Sequence, residues 1–145
     1  MSYSEQALQK IEDGDIKEAN RLYAWALRKD DDDTLNSFAE ELYGLGFDNK
    51  AKRIYEKLLE KYPDEDSLQV NLADIEIGQG HTDEALQHLA TVKPDSDAYL
   101  QSLLVAADLY QTEELYEVSE QKLLEAERIA PDEQVVLFAL GEFYN

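Results

Sequence analysis

The 145-residue chain contains no cysteine and only two histidines, three prolines and six glycines. Without cysteine there are no disulfides and no thiolate metal sites, which fits a reducing compartment, and we expect a cytoplasmic protein. The chain also lacks a long apolar run and a basic-then-apolar leader, so we expect neither a membrane span nor a signal peptide. Basic residues are scarce too, since 13 Lys and Arg stand against 33 Asp and Glu, for a formal charge of −20.

This acidic balance limits the classes of partner. A surface of such charge repels phosphate backbones and anionic lipid headgroups. We therefore expect no nucleic-acid or membrane partner, and a basic protein or peptide fits better. Acidity that only keeps the protein in solution explains the same composition.

Apolar residues recur at helical spacing along the chain. Leu35, Phe38, Ala39 and Leu42 form one such stripe. Alternation with period two does not occur over a useful length, so the pattern predicts an all-α fold with short connections.

The connections repeat at a fixed distance. Gly14, Gly46 and Gly80 lie between helical stripes, 32 and 34 residues apart, where a residue with positive φ ends a helix. Pro63 and Pro131 are 68 residues apart, which is twice 34. Such a period indicates stacked helix pairs.

The period divides one expected domain, 1–145, into helix pairs at about 2–31, 32–65, 66–99 and 100–133, followed by a half-unit at 134–145. Each first helix and each second helix has one position that is always small. These positions hold Ala7, Ala39, Ala73, Ala107 and Gly141 in the first helices, and Ala19, Ala51, Ala85 and Ser119 in the second. Small residues at matched places let the two helices of a pair approach closely.

The repeat resembles the tetratricopeptide repeat, whose signature is W-x2-L-G-x2-Y, then A-x3-F, then P. Its best matches are the stretch LFALGEFY, residues 137–144, with Leu137 in the tryptophan place, and Ala51 to Tyr55 running on to Pro63. The resemblance covers essentially the whole chain. It implies an α-α superhelix of about four helix pairs plus one extra helix, and a protein-binding scaffold that catalyses no reaction. Because the half-unit at 134–145 lacks its second helix, we expect the chain to be the N-terminal part of a longer array.

The chain departs from the repeat at several places, among them Gln6 and Lys10 of the first pair, which replace large apolar residues. Gln69 and Glu76 stand where large apolar residues belong in the third pair. Pro94 comes three residues early, which predicts a short second helix in that pair. Glu114 replaces the turn glycine of the fourth pair.

Catalytic, cofactor and metal residues are not predicted. His81 and His88 have no third ligand placed by the sequence. The run Asp30 to Asp33 lacks the alternation and the glycine of an EF-hand loop, and capping of a helix N-terminus explains it.

A row of acids follows the repeat. In tetratricopeptide arrays the first helices line a concave groove, and the residue after the small position usually faces it. Here that position holds the acidic row, spaced by 34 residues: Glu40, Asp74, Asp108 and Glu142. Flanking groove positions hold Tyr43, Ile77, Gln111 and Asn145 on one side and Asn36, Val70, Leu104 and Phe138 on the other.

We expect this groove to bind a basic or mixed basic and apolar peptide segment. A solvated acidic face explains the same row. Val136, Leu140 and Phe143 of the last helix are expected to lie uncovered, which would allow a homodimer or a structural spacer that associates with its own copies. The third alternative is a regulatory arm of a longer protein.

Overall fold

A computed structural model describes all residues from 1 to 145 and contains nine α-helices and no strands. The all-α prediction is confirmed. None of the helices is long and apolar enough to cross a membrane. The chain forms two compact units, an N-terminal unit of residues 1–62 and a C-terminal unit of residues 63–145; the single domain expected from the sequence stays a prediction.

The N-terminal unit consists of two helix pairs. The first pair is α1 (Tyr3–Glu12) and α2 (Ile16–Lys29), and the second is α3 (Asp32–Gly44) and α4 (Asp48–Lys61). Its largest fully buried side chains are apolar residues of the predicted stripes, namely Leu35, Phe38, Leu42 and Ile54. Burial of this apolar face holds the pairs together, because short helices gain most of their stability from packing.

The aspartate run between α2 and α3 caps helices. The Asp30 carboxylate accepts hydrogen bonds from the backbone N–H groups of Tyr3 (3.2 Å) and Ser4 (2.8 Å) at the start of α1. Asp31 accepts one from the N–H of Thr34 at 2.8 Å. Asp32 lies 2.8 Å from the Lys61 ammonium. The capping role expected for this run is therefore present, since these oxygens satisfy N–H groups that have no partner inside the helix.

The C-terminal unit contains the remaining five helices. They are α5 (Asp66–Gly78), α6 (Thr82–Ala90), α7 (Tyr99–Thr112), α8 (Tyr116–Ile129) and α9 (Gln134–Tyr144). Helix α6 has nine residues, whereas α8 has 14. The short second helix predicted from Pro94 is thus confirmed.

The turn inside each helix pair has the same backbone geometry. Gly14, Gly46 and Gly80 have φ angles of 82°, 90° and 79°. Glu114 takes the fourth turn with φ of 63° and is the one non-glycine residue with positive φ. In its turn the N–H of Leu115 donates to the carbonyl of Tyr110 at 2.8 Å, the bond that closes a helix end of this type.

The small positions bring the helices of each pair together. The alanines at these positions and Ser119 are all buried, and the Ser119 hydroxyl donates to the carbonyl of Ala107 at 2.7 Å, from α8 to α7. Gly141 is the exception, because it lies on an exposed side of α9. The small position of the repeat therefore has a packing role in the four helix pairs. It has no such role in α9.

Candidate functional site

Helices α7 and α9 border an open groove of about 500 Å³ on one side of the C-terminal unit. We call it the α7–α9 groove. Five predicted groove residues lie in it, Leu104, Asp108 and Gln111 of α7 with Phe138 and Glu142 of α9. Its other lining residues are Ala107, Thr112, Leu123, Val135 and Ala139.

The repeat explains why these side chains meet. One face of α7 and one face of α9 pack into a shared core with α8, which contains Ala107, Leu123, Val136 and Leu140. Because both helices carry the same residue pattern 34 positions apart, the same turn of each helix then borders the groove. The acids and the apolar residues four positions before them therefore form two adjacent rows.

The chemistry of the groove is mixed. Asp108 and Glu142 are exposed to solvent. Phe138 is 68% exposed, which is unusual for a large aromatic side chain, and Val135 is also exposed. No lysine or arginine lines the groove. The surface thus offers anionic oxygens beside uncovered apolar area.

The charge of the chain is concentrated around this site. Residues 63–145 contain 19 acids and three bases, for a net charge of −16. Residues 1–62 contain 14 acids and ten bases, for a net charge of −4. The field at the groove is therefore strongly negative and attracts cations.

Other predicted groove residues of the C-terminal unit do not line the α7–α9 groove. Asp74 of α5 lies at the surface. Neighbouring atoms nevertheless shield part of its carboxyl group from water, and this desolvation raises the pKa of the carboxyl. Ile77 packs against the core around Ala85 and Leu89. Val70 is buried, so the exposure expected for it is wrong. The reason is that α5 has apolar side chains on several faces, and neighbouring helices cover this one.

Three predicted groove residues belong to the N-terminal unit. Glu40 is exposed on α3, and Asn36 and Tyr43 are half-buried on the same helix. They have the side-chain exposure that a binding surface requires. Continuity of the acidic row from Glu40 to the other three acids stays a prediction.

The residues expected to leave α9 uncovered are in fact its packed side. Val136 is 0% exposed and Leu140 is buried, while Phe143 packs against the same core. The expected exposure of Val136 and Leu140 is therefore wrong. Positions i, i+4 and i+7 share one helix face, and this face contacts α7 and α8. The exposed apolar side chains of α9 are instead Val135, Leu137, Phe138 and Tyr144.

The sequence analysis missed Val135, Thr112 and Leu123 as groove residues. Val135 had a readable signal, because it precedes Phe138 by three residues and Glu142 by seven, which places all three on one face of a helix. Leu123 belongs to α8 and reaches the groove floor between the first helices. Its place depends on how the three helices pack, which no local pattern reports.

Comparisons with known proteins agree with this architecture. A family model described as tetratricopeptide repeat matches residues 49–107, and one described as YpiA-like, tetratricopeptide repeats, matches residues 111–145. The TPR repeat-containing protein YpiA of Bacillus subtilis (strain 168) is 34% identical over 140 residues. That alignment covers 97% of this chain and 33% of YpiA, so the chain spans about a third of that relative's length.

Solved structures show the same fold. A tetratricopeptide repeat protein from Parabacteroides merdae ATCC 43184 matches with a TM-score of 0.72 and 17% identity, over 97% of this chain and 57% of that one. YrrB, described as a TPR protein with an unusual peptide-binding site, matches with a TM-score of 0.72 and 21% identity, over 96% and 73% of the two chains.

Three kinds of observation indicate the same family. They are the repeat signature, the helix pairs with their shared turn geometry, and both family models. Tetratricopeptide-repeat proteins are generally protein-interaction scaffolds. The chain belongs to the tetratricopeptide-repeat family.

Proposed function

We propose that the protein is a non-catalytic scaffold whose α7–α9 groove binds a protein segment that carries both basic and apolar side chains. The observation that carries this proposal is the joint placement of Asp108, Glu142, Leu104 and Phe138 around one groove. Two acids and two apolar residues of the predicted rows therefore border one groove, which offers two kinds of binding group.

Charge determines the sign of the partner. Two exposed carboxylates and no base border the groove, within a unit of net charge −16. Such a field accelerates the approach of cationic segments and repels anionic ones. Lysine or arginine side chains of the partner then pair with Asp108 and Glu142.

Apolar contacts supply the affinity. Exposed ion pairs contribute only about 0–1 kcal/mol each, whereas a buried aromatic anchor contributes about 2 kcal/mol or more. Phe138 is the largest uncovered apolar side chain of the groove. It is therefore the residue whose burial by a partner gains most.

The two rows restrict the shape of the segment. On each helix the apolar residue precedes the acid by four positions, a rise of about 6 Å along the helix axis. A matching partner places a cation and an apolar side chain at a similar distance. A helix does so at positions i and i+4, and an extended strand does so at positions i and i+2.

The proposal accords with the family. Tetratricopeptide repeats are generally interaction scaffolds, and a peptide-binding site is described for YrrB, which shares this fold.

Self-association through α9 has less support. Two of the three side chains expected to mediate it, Val136 and Leu140, are buried in the protein's own core. Two copies of a chain with net charge −20 also repel each other. Sedimentation velocity over a range of protein concentrations separates self-association from binding of other proteins. If the groove binds other proteins, the free protein should stay monomeric at all concentrations.

The test uses three labelled peptides of equal length. The first peptide carries lysine and leucine four positions apart in a helical repeat, the second replaces lysine with glutamate, and the third replaces leucine with serine. Fluorescence anisotropy with the full chain should show binding of the lysine–leucine peptide and at least about tenfold weaker binding of the other two.

Matched variants locate the site. Asp108→Lys with Glu142→Lys should weaken binding of the lysine–leucine peptide about tenfold or more, and Phe138→Ala should weaken it by a similar factor. The control, Glu117→Lys with Asp132→Lys, changes the net charge equally at exposed positions outside the groove. Equal losses in the groove pair and the control pair would show a non-specific charge effect and contradict the proposal.

A further inference from the structure

A second pocket of the C-terminal unit lies among α6, α7 and α8 and has a volume of about 320 Å³. We call it the α6–α8 pocket. Helix α6 ends at Ala90, five residues shorter than α8, and the chain then turns through Val92 and Pro94. The space that a longer α6 would fill is therefore open to solvent.

The loop after α6 is held in place by contacts with α5. The opening of the pocket is therefore part of the folded structure. Val92 is buried, and the backbone N–H of Lys93 donates to the Asp66 carboxylate at 3.1 Å. Asp66 is itself buried. These contacts connect the loop to the start of α5 and hold the pocket wall in place.

Seven of the eleven lining residues are apolar, and the lining surface also includes exposed polar atoms. Leu89, Val92, Leu103 and Ala106 are buried side chains that form the floor. The remaining lining residues are Leu86, Ala90, Pro94, Tyr99, Ser102, Tyr110 and Lys122. The volume lies at the lower end of the range for small-molecule sites, which are typically apolar with a few polar groups.

Four lining residues of the pocket carry polar side-chain groups, and two of these groups have no partner in the protein. The other two are already bonded. The Tyr99 hydroxyl donates to Glu125 at 2.8 Å and the Ser102 hydroxyl to the carbonyl of Tyr99 at 2.6 Å. The Lys122 ammonium and the Tyr110 hydroxyl make no hydrogen bond or ion pair with another residue, although both side chains are half-buried. They are the two donors that remain for a ligand.

The isolation of Lys122 is unusual for this unit. Its other two bases both lie near carboxylates, Lys93 at 3.6 Å from Asp64 and Arg128 at 3.7 Å from Glu125. With 19 acids among residues 63–145, an unpaired lysine on an apolar pocket is a group available to an anion.

We propose that the α6–α8 pocket binds a small monocarboxylic acid with a hydrocarbon body. Its carboxylate would accept hydrogen bonds from the Lys122 ammonium and the Tyr110 hydroxyl, and its hydrocarbon part would cover Leu103 and Ala106. A neutral or cationic ligand of the same shape leaves Lys122 without a counter-charge in an apolar setting, which disfavours it. A dianion is repelled more strongly by the net charge of −16 than a monoanion.

This site is separate from the peptide groove. On α7 the pocket is lined by Tyr99, Ser102, Leu103, Ala106 and Tyr110, and the groove by residues on the opposite side of the helix. The failure of one proposal therefore leaves the other standing.

Octanoate is the probe, with octanol and octylamine as ligands of equal chain length and different charge. Titrations of the full chain by calorimetry and by backbone amide NMR at about 0.15 M salt, where the Debye length is about 8 Å, should show octanoate binding with shifts at pocket residues. Octanol and octylamine should bind at least about tenfold more weakly.

Four variants test the pocket and the role of Lys122 in it. Lys122→Met keeps the length of the side chain and should weaken octanoate binding about tenfold, whereas Lys122→Arg should retain it. Lys93→Met is the control, because Lys93 does not line the pocket. Ala90→Phe should block the entrance from an exposed position without disturbing the core.

Specific results would overturn the proposal. These are absence of octanoate binding, equal affinity for octanol, or equal affinity of wild type and Lys122→Met. Tighter binding of a short peptide that ends in leucine with a free carboxylate would assign the pocket to a protein C-terminus instead.

Discussion

The Nδ1 atom of His88 on α6 lies 2.6 Å from the Oε1 atom of Glu76 on α5. Glu76 is 1% exposed, so its carboxyl group is inside the core at a position where the repeat favours a large apolar side chain. Burial of a carboxyl group is unfavourable unless hydrogen bonds compensate it. The imidazole supplies one of these bonds and joins the shortened α6 to α5.

We expect His88→Ala to lower the free energy of unfolding by about 1–3 kcal/mol, because Glu76 stays buried after losing this partner. Urea unfolding followed by circular dichroism measures the change. The control is His81→Ala, since His81 is exposed and its Nδ1 lies 3.9 Å from Glu84; it should change stability by less than about 0.5 kcal/mol. Equal effects of the two substitutions would show that the buried contact has no special weight.

The positive φ of Glu114 predicts a stabilising substitution. A non-glycine residue in this conformation is strained by about 1–2 kcal/mol, and glycine takes the equivalent place in the three other turns. Glu114→Gly should raise the free energy of unfolding by about 0.5–1 kcal/mol, as the relief of strain exceeds the entropic cost of glycine. Thermal unfolding gives the measurement.

Glu113 is the matched control for that turn. It has φ of −83°, which any residue adopts. Glu113→Gly should therefore lower stability rather than raise it. A stabilising effect at both positions would mean that the loss of an acidic charge, and not the backbone conformation, is responsible.

Tyr23 makes the stability of the N-terminal unit depend on pH in the alkaline range. Burial raises the pKa of its phenol from the usual 10.0 to about 12, and its hydroxyl donates to the carbonyl of Lys50 at 3.0 Å. The folded state therefore holds this proton more tightly than the unfolded state. The resulting stabilisation is complete below pH 10 and is lost as the pH rises to about 12.

The test compares wild type with Tyr23→Phe, which has no ionisable group at this position. Between pH 10 and about 12 the free energy of unfolding should fall more steeply for wild type. Urea unfolding at a series of pH values gives both slopes. Parallel slopes would contradict the prediction, because other groups titrate identically in the two proteins.

The small position of the repeat should respond differently in α7 and α9. Ala107 is buried against α8, where the Ser119 hydroxyl donates to its carbonyl at 2.7 Å. Ala107→Leu should lower stability by about 1–3 kcal/mol or more, since the helices cannot separate freely. Gly141→Leu should raise stability by up to about 1 kcal/mol through helix propensity, because no atom lies within 4 Å of a Cβ added at Gly141. Melting temperatures distinguish the two outcomes, and a loss in both would show that Gly141 also faces a packed surface.

Much of the fold followed from local patterns. The stripe with Leu35, Phe38 and Leu42 predicted α3, and the turn glycines predicted three helix ends with positive φ. Pro94 predicted the early end of α6. These signals are local because a helix depends on neighbouring residues and a turn depends on the conformations allowed to one or two residues.

The candidate site was predicted in part. The 34-residue register identified Asp108, Glu142, Leu104 and Phe138, which the structure brings to one groove. The register placed Val70 on the same surface, but α5 is covered there. Amphipathicity fails as a guide when a helix is apolar on more than one side, because the sequence then does not say which side the neighbours cover.

The sequence by itself determined the helices, their turns, the repeat and the row of acids, since each depends on spacing along the chain. Tertiary structure decided which faces are covered. It buried Val136 and left Phe138 exposed, placed His88 against Glu76, and left Lys122 beside an open pocket. These outcomes depend on contacts between helices far apart in the sequence, and the free energy of such contacts comes from packing rather than from local propensity.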